Sequence, residues 1–303
     1  MIPFFKFFLI FSIMATSEAN KETHDGKQKT SPVIADGATL QLVSDQFKFA
    51  EGPATDKKGN VFFTDQPNNK IWEFDTDGKL SVFMDNAGRS NGMDFDNDGN
   101  LISCADENMQ LWSIDPKKKV TVLVKDYKGK LLNGPNDVFV TSKGKIYFTD
   151  PYYQRDYWKR KSPDLDGQKV YYLKGKNNPV VVCDNMKKPN GIVGTPDGKY
   201  LYVADIEGNK TYRFRIEEDG SLSDQVLFAD QGSDGMTMDN KGNVYLSGKG
   251  VTVYDKEGNK IEHIDVPVDW TGNITFGGKN KDVLFITASQ KAFTLKMKVK
   301  GNK

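Results

Sequence analysis

The sequence is poor in the two side chains that most often build compact reactive centres. It has two cysteines and two histidines in 303 residues. That scarcity argues against a disulfide framework, a zinc site held by thiolates or imidazoles, and a His-dependent nucleophilic triad. Cys104 and Cys183 lie inside apolar runs and read as buried thiols, with one mutual pairing as the alternative. His24 falls in a polar, turn-rich stretch, and His263 falls in a late outer strand. The net charge is +1 and no basic face is concentrated anywhere, which excludes nucleic acid as a partner. Helical periodicity is almost absent.

Apolar runs long enough to interest a membrane are also lacking, except at the start. Residues 1–14, MIPFFKFFLIFSIM, carry one charge, Lys6, and are short of the ~20 residues a membrane span needs. Ser17 and Ala19 then place small residues where a signal peptidase reads them. We expect a cleavable signal at 1–19, cut after Ala19, and a periplasmic or secreted protein with no stable span once mature. An uncleaved anchor is the alternative. Residues 20–37 read as a disordered lead-in, and residues 38–303 as the folded domain.

Glycine, by contrast, is plentiful: 28 residues, many in Asn-Gly, Asp-Gly or Lys-Gly pairs. The clearest unit is Leu132 to Asp150, LNGPNDVFVTSKGKIYFTD, which reads as loop, strand, hairpin, strand. The unit recurs, with hairpin glycines at Gly59, Gly99, Gly144, Gly198, Gly242 and Gly278. A period of roughly 40 to 50 residues with four short strands per unit is the pattern of a β-propeller. Six copies predict an all-β, six-bladed propeller. The widest interval contains an aromatic and charged insertion, Tyr152 to Gln168, whose Tyr152, Tyr153, Arg155 and Trp158 could form a lid or be a merely exposed loop. Thr39 to Val43 is the candidate strand that closes the last blade.

Each unit also has a polar residue at its head: Glu51, Asn91, Asn136, Asn190, Asp234 and Asn273. One by one these are ordinary turn formers. As a set they differ in type, recur before the same strand, and include a glutamate that a turn does not require. We expect them at one mouth of a central channel. Two carboxylates and up to four carboxamides are hard oxygen donors, suited to Ca²⁺, Mg²⁺ or Mn²⁺.

These residues carry a resemblance. Glu51-Gly-Pro53, Asn91-Gly92, Leu132-Asn-Gly-Pro-Asn-Asp137, Phe148-Thr-Asp-Pro151, Pro189-Asn-Gly191, Ser233-Asp-Gly-Met236 and Asn273-Ile-Thr-Phe-Gly-Gly278 follow one another as in the gluconolactonase branch of the senescence marker protein (regucalcin)/gluconolactonase/LRE-like family. The likeness runs from about Leu40 to the end. It implies a six-bladed propeller with a divalent cation in the channel, usually Ca²⁺, with Mg²⁺, Mn²⁺ or Zn²⁺ as alternatives. The metal ligands it implies are Glu51, Asn190, Asp234 and Asn136, and Asp234 is also its general base. Asn136, Asn91 and Arg89 are the candidate substrate contacts. The implied activity is hydrolysis of a sugar lactone such as glucono-1,5-lactone by attack of water, with the cation offsetting the developing negative charge. Phosphotriester hydrolysis by a similar site, and a non-catalytic Ca²⁺-plugged propeller that binds a sugar or protein, are the alternatives. We expect a monomer or small homo-oligomer. In one place the pattern departs from the family, which often has a His shortly after the cysteine of the second unit. Here that stretch reads Cys104-Ala-Asp-Glu-Asn108.

Overall fold

The protein is described by a computed structural model covering Met1 and residues 30–302. The signal segment expected at 1–19, its cut after Ala19, and most of the lead-in lie outside the described residues. Within them, no helix is long and apolar enough to cross a membrane.

Among the described residues, twenty-four strands form six four-stranded antiparallel sheets. This is the six-bladed propeller expected from the repeats. The inner strands are Ala50–Thr55, Ser90–Phe95, Val138–Val140, Pro189–Gly194, Met236–Met238 and Asn273–Gly277. Each blade then runs outward through two strands to an outer edge. All six hairpin glycines have positive φ, from 68° at Gly198 to 96° at Gly59, where a side chain would be strained. Aspartates set several of these turns: Asp56, Asp96 and Asp239 each accept N–H bonds from the residues two and four further on.

Apolar residues collect between blades. Phe62 and Ile71 of the first blade meet Met93 and Leu101 of the second. Phe139 and Tyr147 of the third meet Ile192 and Val203 of the fourth. Each blade therefore buries both of its faces, which explains why its second strand is apolar almost throughout, as in Val61–Asp65. Cys104 and Cys183 are buried and unpaired.

The ring is closed by the N-terminal segment. Gln41–Ser44 pairs with Lys291–Lys296, so the sixth blade combines three C-terminal strands with one from the start. The seal is apolar too: Phe47 and Phe63 pack edge-on at 5.1 Å beside Phe285. The packed chain begins ahead of Ala38. Val33 is buried, its carbonyl accepts from Lys298 N at 2.7 Å, and Ile34 bridges Met297. Residues 31–37 thus depart from the disordered lead-in expected of them, because Val33 and Ile34 find apolar partners in the C-terminal segment.

A chain beginning at Asp45 would lack both the closing strand and the Val33 contact. It should melt roughly 10 °C below a chain beginning at Thr30, measured by circular dichroism. An equal melting temperature would show that the closing strand contributes nothing.

Candidate functional site

The inner strands all start at one end of the channel, so their heads share one mouth. Sequence reasoning set the six polar residues just ahead of these strands. Glu51, Asn91, Asn190 and Asn273 in fact lie inside them, and only Asn136 and Asp234 precede theirs. The reason is local. The ladder slips between Glu51 and Ala54, between Ser90 and Met93, and between Pro189 and Ile192, and such bulges re-aim a side chain.

Four heads are followed by a glycine, Gly52, Gly92, Gly191 and Gly235, and Asn273 is preceded by one, Gly272; these glycines have a different role from the one their motifs suggest. A Cβ on Gly92 would stand 2.6 Å from the Asn136 carbonyl, and one on Gly235 would stand 1.9 Å from the Asn273 side chain. Gly52 meets Asn91, Gly191 meets Asp234, and Gly272 meets Glu51 in the same way. These are contacts between neighbouring blades, and they rule out side chains there. Hydroxyls complete the seam: Thr64, Thr149 and Ser247 donate to the carbonyls of Asn91, Asn190 and Gly272 in the next blade, at 3.2, 2.8 and 2.7 Å.

The mouth opens into a cavity of about 490 Å³ lined by Glu51, Asn91, Asn136 and Asp234, with Phe49, Ile206 and Trp270 as apolar walls. Between the inner strands the channel encloses only about 70 Å³, lined by Asp94 and Asp137 among others and by Gly301 and Asn302 of the C-terminal segment. Glu51 is 4% exposed. Burial, and next the charge of Asp234, push its carboxyl well above the usual range; the Gly52 N–H and the Asn273 side chain oppose this. Asp234 is half-buried at the cavity wall. Burial raises its carboxyl to about 6, against the pull of bonds from Trp270 and Asn190. Trp270 Nε1 donates to Asp234 Oδ2 at 2.6 Å, and Asn190 Nδ2 donates to Oδ1 at 2.9 Å.

Sequence analysis named Glu51, Asn91, Asn136, Asn190 and Asp234, and the structure brings these five to one place. Arg89 it does not. Its Nη1 donates to the Pro67 carbonyl at 2.8 Å, and its guanidinium lies over the Tyr157 ring at 4.5 Å, away from the cavity wall. Trp270 was missed; its only signal is its position three residues before Asn273. Asp150 of the Phe-Thr-Asp-Pro motif proves to be a clamp that accepts from Asn133 N and Gly134 N.

Asn190 Oδ1 is buried with no hydrogen-bond partner among the described residues. An orphaned acceptor beside two mutually repelling carboxylates fits a cation better than it fits a closed network. Among the described residues no three His, Cys, Asp or Glu side chains gather around one point, so a cation here would draw on the carboxamides as well.

A six-bladed propeller with paired acids and carboxamides at one mouth defines a class, and comparison with known proteins narrows it. Residues 49–290 match the SMP-30/Gluconolactonase/LRE-like region, and the chain belongs to that family. It is 27% identical to the gluconolactonase of Zymomonas mobilis, over 99% of this chain and 96% of that one. The structure of a gluconolactonase from Xanthomonas campestris superposes with a TM-score of 0.81 at 29% identity, over 87% of this chain and 91% of the other. A calcium-binding regucalcin from Agrobacterium tumefaciens shares the fold, with a TM-score of 0.73 at 20% identity over 87% and 95% of the two chains.

Gly92→Ala drives a methyl group into the backbone of the next blade. We expect a loss of about 2–3 kcal/mol in urea unfolding, several times that of an exposed control, Gly99→Ala, corrected for its own turn strain. A loss equal to the control's would show that the seam is not close-packed.

Proposed function

We propose that the protein is a metal-dependent hydrolase that opens sugar lactones, aldonolactones such as glucono-1,5-lactone among them. The observation that carries this is the Glu51, Asn190 and Asp234 group at the cavity floor, with its raised carboxyls and the partnerless Asn190 Oδ1. The relatives named gluconolactonase, alike along nearly the whole chain, support the same reading.

Glu51, Asn190, Asp234 and Asn136 would hold the cation. All are hard oxygen donors, which favours Ca²⁺, and the calcium-binding fold relative points the same way. When bound, such a cation supplies positive charge against the oxyanion that forms as the lactone carbonyl is attacked.

The chain's own groups then divide the work. Asp234 takes the proton from the attacking water. Trp270 Nε1 and Asn190 Nδ2 hold its two oxygens, so the carboxylate cannot rotate away. Asn91 and Asn136, with side chains on the cavity wall, hydrogen-bond ring hydroxyls. The apolar wall of Phe49, Ile206 and Trp270 covers the substrate's CH face.

The test is lactone opening by chelator-treated protein, with Ca²⁺, Mg²⁺, Mn²⁺ or Zn²⁺ restored in turn. Ca²⁺ at about 100 times its Kd should raise the melting temperature by roughly 5–10 °C. Asp234→Asn should cut kcat on glucono-1,5-lactone by about 10²–10⁴ while the far-UV spectrum holds. No turnover with any metal on a lactone panel would overturn the proposal, and so would full activity of Asp234→Asn.

A further inference from the structure

The inserted loop of the third blade was expected either as a lid or as a bare excursion. It is neither free nor peripheral, because a buried carboxylate of the second blade gathers several of its side chains. Asp106 is 2% exposed. Its Oδ2 accepts from Arg155 Nε at 2.9 Å, from Gln66 Nε2 at 3.2 Å, and from the Tyr157 hydroxyl. Its backbone carbonyl accepts from Trp158 Nε1 at 2.9 Å.

Strand register explains why this carboxylate is available. In the first blade Asp65 pairs with Ala50 and accepts from Lys48 N and Phe49 N, clamping the segment that leads into the inner strand. In the second blade Ala105 stands at that register, opposite Ser90. Asp106 therefore falls one position beyond the clamp and turns to the loop.

The consequence is for Arg155. Its Nε is fixed on Asp106, and among the described residues its side chain is the one cationic group lining this mouth cavity, beside Asn136 and Asp234. Its two Nη groups have no hydrogen-bond partner among the described residues. The guanidinium lies 5.5 Å from the centre of the Tyr153 ring. The Tyr153 hydroxyl accepts from Asn190 Nδ2 at 3.1 Å, so its own proton points elsewhere and is available to a ligand. The other polar side chains lining this cavity are the carboxylates of Glu51 and Asp234, the carboxamides of Gln66, Asn91 and Asn136, and the Trp270 indole N–H, which is spent on Asp234. The loop thus adds two donors, and a planar guanidinium held at Nε keeps a fixed direction that a lysine would not.

We propose that Arg155 determines substrate specificity by donating from its Nη groups to ring hydroxyl oxygens of the lactone, and that Asp106 is its positioning residue. This rests on the lactonase reading above. The ligand class is a hydroxylated six-membered ring; a ring of the same size without hydroxyls offers Arg155 only the carbonyl and ring oxygens that every lactone has. A site that has lost its ligand's hydroxyls leaves donors unpaired, which is the strong form of discrimination.

The readout is the ratio of kcat/KM for glucono-1,5-lactone to that for δ-valerolactone, with metal-loaded full-length protein. Arg155→Ala should lower the ratio about 10- to 100-fold, chiefly through KM for the sugar lactone. Asp106→Asn should lower it in the same direction, and the double variant should fall no further than Arg155→Ala, because the two act as one unit. Arg155→Gln replaces the alanine variant if that one unfolds. An unchanged ratio in Arg155→Ala, or additive losses in the double variant, would overturn the assignment. Binding of 1,5-anhydroglucitol, a non-hydrolysable ring carrying the same hydroxyls, is measured in parallel by calorimetry. If the wild type opens no lactone, the hydrolase reading falls on its own and this arm decides for Arg155. Binding that weakens at least about tenfold in the variant sustains polyol recognition; no binding, or equal binding, overturns it.

Discussion

Everything at the working end of this protein depends on how closely neighbouring blades approach one another around the channel. At Gly52, Gly92, Gly191, Gly235 and Gly272 the adjoining blade occupies the space a side chain would need. In the sixth blade the glycine, Gly272, precedes the head Asn273, and in the third blade the head Asn136 has no glycine beside it. Asp137 follows Asn136 there, and its carboxylate accepts from Val138 N and, at 3.4 Å, from Ile192 N of the next blade. Contact between blades is kept by a hydrogen bond where it is not kept by the absence of a Cβ. Because the blades touch at these points, the head residues beside them are aimed at a common centre within small tolerances.

Aiming carboxylates at a common centre has an electrostatic consequence. Glu51 and Asp234 stand near one another, away from bulk water, and each raises the cost of ionising its neighbour. The nearest guanidinium, that of Arg155, is itself tied to Asp106. Its charge lowers the Asp234 carboxyl less than burial raises it, and the direct hydrogen bonds to Asp234 come from neutral donors, Trp270 and Asn190. The cation proposed above would relieve that repulsion.

Most of the fold could be read from the sequence, because it rests on local chemistry repeated six times. A glycine at positive φ between two apolar runs signals a hairpin wherever it occurs, and the strand at Thr39 to Val43 was legible as the leftover piece of an incomplete blade. The five polar residues that meet at the mouth were legible for a similar reason: their positions relative to the hairpins repeat. What could not be read was anything that joins distant segments without a repeat. Arg89 looked like a neighbour of Asn91, yet a left-handed backbone at φ 46° turns it toward Pro67 and Tyr157. The Asn-Gly pairs looked like turns because the clash that demands glycine comes from a chain some forty residues away. Asp106 showed only as a departure from the family's histidine, since its partners Arg155, Tyr157 and Trp158 lie in an insertion with no counterpart in the other blades.

The composite sixth blade also sets an order of events. Leu42 pairs with Phe293, so a strand made among the first waits for partners made among the last. On a ribosome the first five blades have their own strands in hand as they emerge, while the interface that joins the ends of the ring stays open until synthesis is almost done. Closure is then a single late step of high contact order. The exposed apolar edges of an unfinished ring are where a chaperone or a neighbouring chain would find it.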